Sequence, residues 1–179
     1  MSKRAWRTGM LAVAVVASAA LMLAMTASAS PVPSLSFGSS NDGASAGWNS
    51  GKGSAINLTL GTSSGSYAEI TLHHLPATAV GDLAAPSFAT SNYDAGSPRY
   101  YITLSDGNTL WGYPPQSGLN GTDFAWAINN GNTYLSWSGV QTAEGSATVT
   151  GAYVIADADQ SAGTTDAISS LSFGGTTFN

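Results

Sequence analysis

Short runs of alternating apolar and polar residues, separated by turn-forming residues, constrain the fold of this chain more than any other feature. They recur roughly every 8–12 residues between clusters of Gly, Asn, Asp, Pro and Ser. In "SAINLTL", Ile56, Leu58 and Leu60 share one face, and in "SYAEITLHH" Ile70 and Leu72 point to one side. This period of two predicts an all-β protein, either a sandwich or a barrel, with roughly nine or ten strands and no obvious helix.

The turn-forming residues predict which strands form hairpins. Asp106-Gly107 is a tight-turn signal between "PRYYITLS" and "NTLWGYP". The stretch 129–132, Asn-Asn-Gly-Asn, accepts positive φ angles and predicts a second hairpin between "FAWAI" and "TYLSWS". A third turn is predicted at 61–65, and the segment 80–96 is interpreted as a long connection.

The N-terminal segment has the composition of an export signal. Basic residues precede a short apolar stretch that ends in Ala27-Ser28-Ala29, so residues 1–29 are interpreted as a secretory signal peptide. The apolar stretch is short for a membrane span, and no later stretch is long and apolar enough to be one. We expect residues 30–179 to form a single extracellular β-sandwich domain that has no membrane partner after export.

The charge distribution argues against polyanionic partners. Lys3, Arg4 and Arg7 lie in the leader, so only Lys52 and Arg99 face the ten acidic residues of the mature chain, a net charge of −8. Such a surface should repel nucleic acid and anionic lipid. The chain has no cysteine, which excludes disulfides, thiol chemistry and thiolate metal sites.

Aromatic residues are concentrated between residues 93 and 153 and have two interpretations, core packing or stacking surfaces for sugars. Trp126 is in phase with Phe124 and Ile128, and Trp137 with Leu135, so both tryptophans are assigned to the interior. Four others occupy the opposite phase of their strands and are the candidate ligand-binding residues: Tyr101, Trp111, Tyr113 and Tyr134.

Signals for catalysis are weaker. A jelly-roll glycoside hydrolase needs two facing carboxylates. The only glutamates are Glu69, in a predicted strand, and Glu144, in a predicted turn, although Asp106 or Asp123 could substitute for one of them. No nucleophile elbow, zinc-protease motif or phosphate loop occurs, and no catalytic residue is assigned.

The stretch "VIADADQSAGTTD" carries three aspartates, Asp157, Asp159 and Asp166. In an extended chain Asp157 and Asp159 project to one side, and a reversal at Ala162-Gly163 would bring Asp166 alongside. Carboxylate oxygens suit Ca²⁺, so a structural calcium site is one interpretation and a hydrated turn is the other. The fold is expected to require no cofactor.

The C-terminal stretch "AYVIADADQSAGTTDAISSLSFGGTTF" resembles the closing strands of secreted jelly-roll carbohydrate-binding modules. The residues that carry the resemblance are Val154, Ile155, Asp157, Asp166, Ile168, Leu171, Phe173 and Gly174. The resemblance implies an antiparallel jelly-roll sandwich, a structural calcium ion and a polysaccharide ligand held by aromatic residues. The polar residue that usually follows the final Ile is here only a serine, Ser169, which is a departure from the pattern of these modules. The leader and the Ala-, Gly- and Thr-rich composition resemble those of a secreted bacterial protein.

Three functions follow in order of support. The leading hypothesis is a secreted, non-catalytic, carbohydrate-binding sandwich with Tyr101, Trp111, Tyr113 and Tyr134 as stacking surfaces. The alternative is an extracellular structural or interaction protein whose aromatic residues all belong to the core. The third is a small glycan-active hydrolase that uses Glu69.

Overall fold

Two antiparallel β-sheets form the described part of the protein, so the predicted all-β sandwich is confirmed. The computed structural model describes residues 31–90, 97–115, 123–157 and 163–178. One sheet has six strands, in the spatial order β1 (Ser34–Ser39), β4 (Tyr67–His73), β9 (Val149–Asp157), β6 (Arg99–Leu104), β7 (Thr109–Tyr113) and β8 (Ala125–Ile128). The other has five, β11 (Thr176–Thr177), β10 (Thr165–Phe173), β3 (Ile56–Thr59) and β2 (Ser45–Trp48), with β5 (Ser87–Thr90) also paired to β10.

The strand pairing is nested between the two sheets, as in a jelly roll. β3 pairs with β10 in the five-stranded sheet, and β4, the next strand, pairs with β9 in the six-stranded sheet. The chain therefore crosses from one sheet to the other between β3 and β4, and the hairpin predicted at 61–65 is wrong. That predicted turn is instead a crossover between the two sheets.

Asp42 fixes this crossover from the β1–β2 loop. Its carboxylate accepts hydrogen bonds from the backbone N–H of Ser63 at 2.9 Å and from the hydroxyls of Ser40 and Ser63. These donors hold the pKa of Asp42 well below its usual range. A Cβ on Gly61 would lie against the Asp42 carboxylate and backbone carbonyl, so glycine is needed there for the close approach.

The core lies between the sheets and follows the predicted alternation. Ile56 and Leu58 face inward from β3, and Ile70, Ile102 and Val154 face them from the six-stranded sheet. Each of these side chains is at most 2% exposed. Burying such a side chain contributes about 1.5–3 kcal/mol relative to exposure, so this apolar layer is the main source of stability in a chain without disulfides.

A helix, α1 (Trp137–Glu144), replaces part of a predicted strand. The Ser136 hydroxyl accepts a hydrogen bond from the N–H of Gly139 at 3.2 Å and caps the helix N-terminus. Only Leu135 of "TYLSWS" pairs with β8, through an antiparallel bridge to Trp126. The predicted second hairpin is therefore reduced to one bridge, and the expectation of no helix is wrong. None of the helices in the described ranges is long and apolar enough to span a membrane.

The remaining turn predictions are confirmed in part. β6 and β7 form the predicted hairpin, and Gly107 adopts the expected positive φ of 90°. Asn129 and Asn130 both have φ of 52°, as their sequence predicted. Within the segment 80–96, a short 3₁₀ helix (Val80–Asp82) and β5 interrupt the predicted connection.

Candidate functional site on the outer face of the six-stranded sheet

Three aromatic side chains form a continuous row on the outer face of the six-stranded sheet. Tyr101 on β6 lies directly opposite Trp111 on β7 and directly opposite Tyr153 on β9. The ring centroid of Tyr101 is 4.8 Å from that of Trp111 and 5.9 Å from that of Tyr153. All three rings are half-buried, on the side of the sheet away from the core. We refer to Tyr153, Tyr101 and Trp111 as the aromatic row.

Small or hydroxyl-bearing residues flank the aromatic row in the same register. Thr71 lies opposite Tyr153, and Ser36 lies opposite Thr71 at the sheet edge. At the other end Ala127 lies opposite Trp111. The row is therefore bounded by short side chains and has no charged residue in its own register.

Arg99 lies beside Trp111 and is nearly buried, although it is a charged residue. Its guanidinium carbon is 5.4 Å from the centroid of the Trp111 ring, and it forms an ion pair with Asp157. A cation over an aromatic face fixes the orientation of the ring and adds about 0.5–2 kcal/mol. The ion pair also neutralises Arg99, so the site has little net positive charge to attract an anion.

Tyr113 and Tyr134 extend the aromatic surface beyond the row. Their rings meet edge to face, with centroids 5.7 Å apart. The Tyr113 hydroxyl donates a hydrogen bond to Asn130 Oδ1 at 3.0 Å, and Tyr134 is 42% exposed. The structure thus places all four predicted ligand-binding residues outside the core. Tyr101, Trp111 and Tyr113 lie on the outer face of their strands, as parity predicted, whereas Tyr134 lies in a loop and not in the predicted strand. Trp126, by contrast, is 1% exposed and packs in the interior, as predicted.

Trp137 also packs against the core, although it does so from α1 and not from a strand. Its ring centroid is 4.9 Å from that of Trp126, and its indole N–H donates to the carbonyl of Leu83 at 3.0 Å. Trp137, the second tryptophan that was predicted to lie in the interior, therefore stabilises the fold through ring packing and a hydrogen bond.

A cleft of about 400 Å³ adjoins the Tyr153 end of the aromatic row. Its lining includes Thr71, His73, Thr150 and Gly151, together with Tyr153 itself. Hydroxyl and imidazole groups are therefore available within it. His73 Nε2 and the hydroxyl of Ser36 are 2.6 Å apart, which fixes the imidazole against β1.

Two of the three aspartates predicted as metal ligands lie in described strands of different sheets. Asp157 is engaged by Arg99 on the outer face. Asp166 is fully buried in the five-stranded sheet, opposite Leu58. Asp159 lies outside the described residues. In the part of the chain that the structure describes, no group of three His, Cys, Asp or Glu side chains could hold a metal ion.

The two glutamates lie in separate places. Glu69 is on the outer face of β4, where Thr71 donates to it at 3.3 Å. Glu144 is buried at the end of α1, where the amide of Asn108 donates to both of its carboxylate oxygens at 3.2 Å. Burial, and then the neighbouring carboxylate of Asp106, raise the pKa of Glu144. This carboxyl pair joins the β6–β7 turn to α1.

Tyr153 is the residue that sequence reasoning missed. Its parity with Ile155 on the outer face was visible in the sequence, but its proximity to Tyr101 depends on the pairing of β9 with β6, across about 50 residues of chain. The sequence signal that marks Tyr153 is its solvent-facing phase in the strand, the same signal that marks Tyr101 and Trp111.

Comparison of the chain with protein-family models, with curated proteins and with solved structures finds no match. The function of this protein is therefore inferred from the geometry of the site and from the sequence.

Proposed function

We propose that this protein is a secreted, non-catalytic carbohydrate-binding protein that holds a neutral polysaccharide on the outer face of its six-stranded sheet. The observation that carries the proposal is the in-register aromatic row of Tyr153, Tyr101 and Trp111 across three adjacent strands. The N-terminal leader supports export to the extracellular space.

The chemistry of the surface favours a sugar over other ligands. Apolar C–H faces of pyranose rings stack on aromatic side chains, and their hydroxyls bond to neighbouring polar groups. Threonines at 71, 103 and 109 supply hydroxyls on the same face as the aromatic row. The cation closest to the row, Arg99, is paired with Asp157, so an uncharged, polyhydroxylated ligand fits better than an anionic one.

A stable arrangement of the rings supports binding without reorganisation. Arg99 orients Trp111, Tyr101 packs between Trp111 and Tyr153, and Asn130 anchors Tyr113. Side chains that are already fixed lose little conformational entropy when a ligand binds.

Retention on a panel of insoluble polysaccharides tests the proposal. We expect the mature protein to bind at least one neutral glycan, and Trp111→Ala to weaken that binding about tenfold, because one aromatic contact of ~1.5 kcal/mol is lost. The matched control is Tyr67→Ala, which removes an aromatic residue that is 40% exposed on the same face but outside the aromatic row. Equal retention of the wild type and Trp111→Ala, with both folded, would contradict the proposal. A wild-type protein that is retained by no glycan and instead self-associates would support a structural role.

A further inference from the structure

Gly151 and Tyr153 lie two residues apart on the outer face of β9, and the tyrosine ring covers the glycine. A Cβ built on Gly151 would be 3.1 Å from the Tyr153 hydroxyl and 3.2 Å from its Cε2 atom. It would also be 2.9 Å from the Thr103 hydroxyl. Residue 151 does not have a positive φ, so the backbone itself does not require glycine.

The glycine therefore provides space for the ring. With no side chain at 151, the Tyr153 ring can lean along the strand and lie against the sheet surface. An aromatic ring that covers a glycine in this way also protects the exposed backbone. Both residues line the cleft of about 400 Å³ that includes Thr71 and His73. The ring is thus placed between Tyr101 and the cleft.

We propose that Tyr153 is a further stacking residue for the glycan and that Gly151 is its positioning residue. The ligand is then an extended chain of neutral sugars that crosses the strands from Trp111, over Tyr101 and Tyr153, into the cleft at His73. This inference rests on the proposed function and specifies its ligand as an oligosaccharide of several units, and not a single sugar.

The dimensions of the row support a chain of several sugars. The successive ring centroids are separated by 4.8 and 5.9 Å, and the strands that carry them are about 4.8 Å apart, so a ligand that contacts all three rings must cross three strands. Beside the row, the hydroxyls of Thr103 and Thr150 are hydrogen-bonded to each other at 2.8 Å and flank Gly151. They can exchange that bond for contacts with ligand hydroxyls.

The test uses soluble oligosaccharides of increasing length, prepared from a polysaccharide that retains the wild-type protein. We expect wild-type affinity to increase with each added unit until the chain covers the row and the cleft. Tyr153→Leu should lower the affinity for the longest oligosaccharide about tenfold and should remove most of the gain with length. Tyr153→Phe, which keeps the ring, should restore the affinity. The control is Tyr67→Leu, on the same face but outside the row.

A double-mutant cycle tests the positioning role. Gly151→Ala should weaken binding of the longest oligosaccharide, and should weaken it no further in a protein that already carries Tyr153→Leu. Denaturant unfolding of each variant verifies that it is folded. Independent, additive losses would overturn the role of Gly151. Loss of binding in Trp111→Ala together with full affinity in Tyr153→Leu would overturn the inference and leave the proposed function standing.

Discussion

Gly112 on β7 lies directly opposite Trp126 on β8, and the indole ring of Trp126 fills the space where a side chain at position 112 would be. A Cβ at Gly112 would approach the ring to 2.5 Å at Cζ3 and 2.6 Å at Cη2. Trp126 also stacks on Tyr100, with ring centroids 5.9 Å apart and planes at 20°. On the inner face of the sheet, the absence of a side chain at position 112 makes room for the Trp126 ring on the neighbouring strand. On the outer face, the absence of a side chain at Gly151 makes room for the Tyr153 ring on the same strand.

Gly112→Ala should destabilise the protein by about 1–3 kcal/mol, because the added methyl group overpacks the core against Trp126. Urea denaturation would show a lower midpoint with an unchanged slope. The control is Gly47→Ala on β2, where a Cβ would meet no atom within 4 Å. Equal midpoints for the two variants would contradict this account of the core.

Glu144→Gln should stabilise the protein at neutral pH. Burial, and then the Asp106 carboxylate, raise the pKa of Glu144, so its stabilising protonated form is present below the ordinary pKa of glutamate and is lost as pH rises through the raised value. Glutamine resembles the protonated form and keeps an acceptor for the Asn108 amide. Thermal melts should therefore show a higher midpoint for Glu144→Gln at pH 7 and a difference that decreases in acid. A lower midpoint at pH 7, or a gain that is independent of pH, would contradict the prediction.

Calcium should leave the stability unchanged. Asp157 forms an ion pair with Arg99, and Asp166 is fully buried in the five-stranded sheet, so a calcium ion that bound both carboxylates would have to break the ion pair and reach a buried group. Melting temperatures in excess calcium and in chelator should therefore agree. A tight site would instead add about 2.7 kcal/mol at a hundredfold excess over its Kd. A calcium-dependent rise of that size would support the calcium interpretation of Asp157, Asp159 and Asp166.

Local patterns in the sequence predicted the faces of strands well. The phase of Trp111 and Tyr113 relative to Leu110, and of Tyr101 relative to Ile102, placed these residues on the outer face, because side chains alternate strictly along a regular strand. The Asp106-Gly107 turn was readable for the same local reason, since its φ requirement is met by residues in the turn itself.

These local patterns did not predict which strands are neighbours in the sheets. The composition of the segment 61–65 suits a hairpin, but Asp42, about 20 residues earlier, binds Ser63 and directs the chain into the other sheet. The alternation of "TYLSWS" suits a strand, but Ser136 caps a helix there. The crossover depends on a tertiary contact that overrides local preference. The helix depends on a local cap at Ser136 and on the long-range hydrogen bond from the Trp137 indole to Leu83.

Irregularities within strands also limit prediction by parity. In β10 the register against β5 shifts between Ser169 and Ser172, and Ser170 has φ of 53°. Ile168 and Leu171, three positions apart, are consequently both buried. A bulge of this kind changes which residues face the core, and the local sequence does not mark it.

The most direct test of carbohydrate binding on the outer face is an NMR titration of the aromatic side chains with a soluble oligosaccharide from a polysaccharide that the protein retains. We predict that the ring resonances of Tyr101, Trp111 and Tyr153 shift in a saturable manner. Those of Tyr100 and Trp126, on the inner face of the same sheet, should remain nearly unchanged. Saturating ligand that leaves the three outer rings unperturbed, or that perturbs only residues elsewhere, would contradict the account.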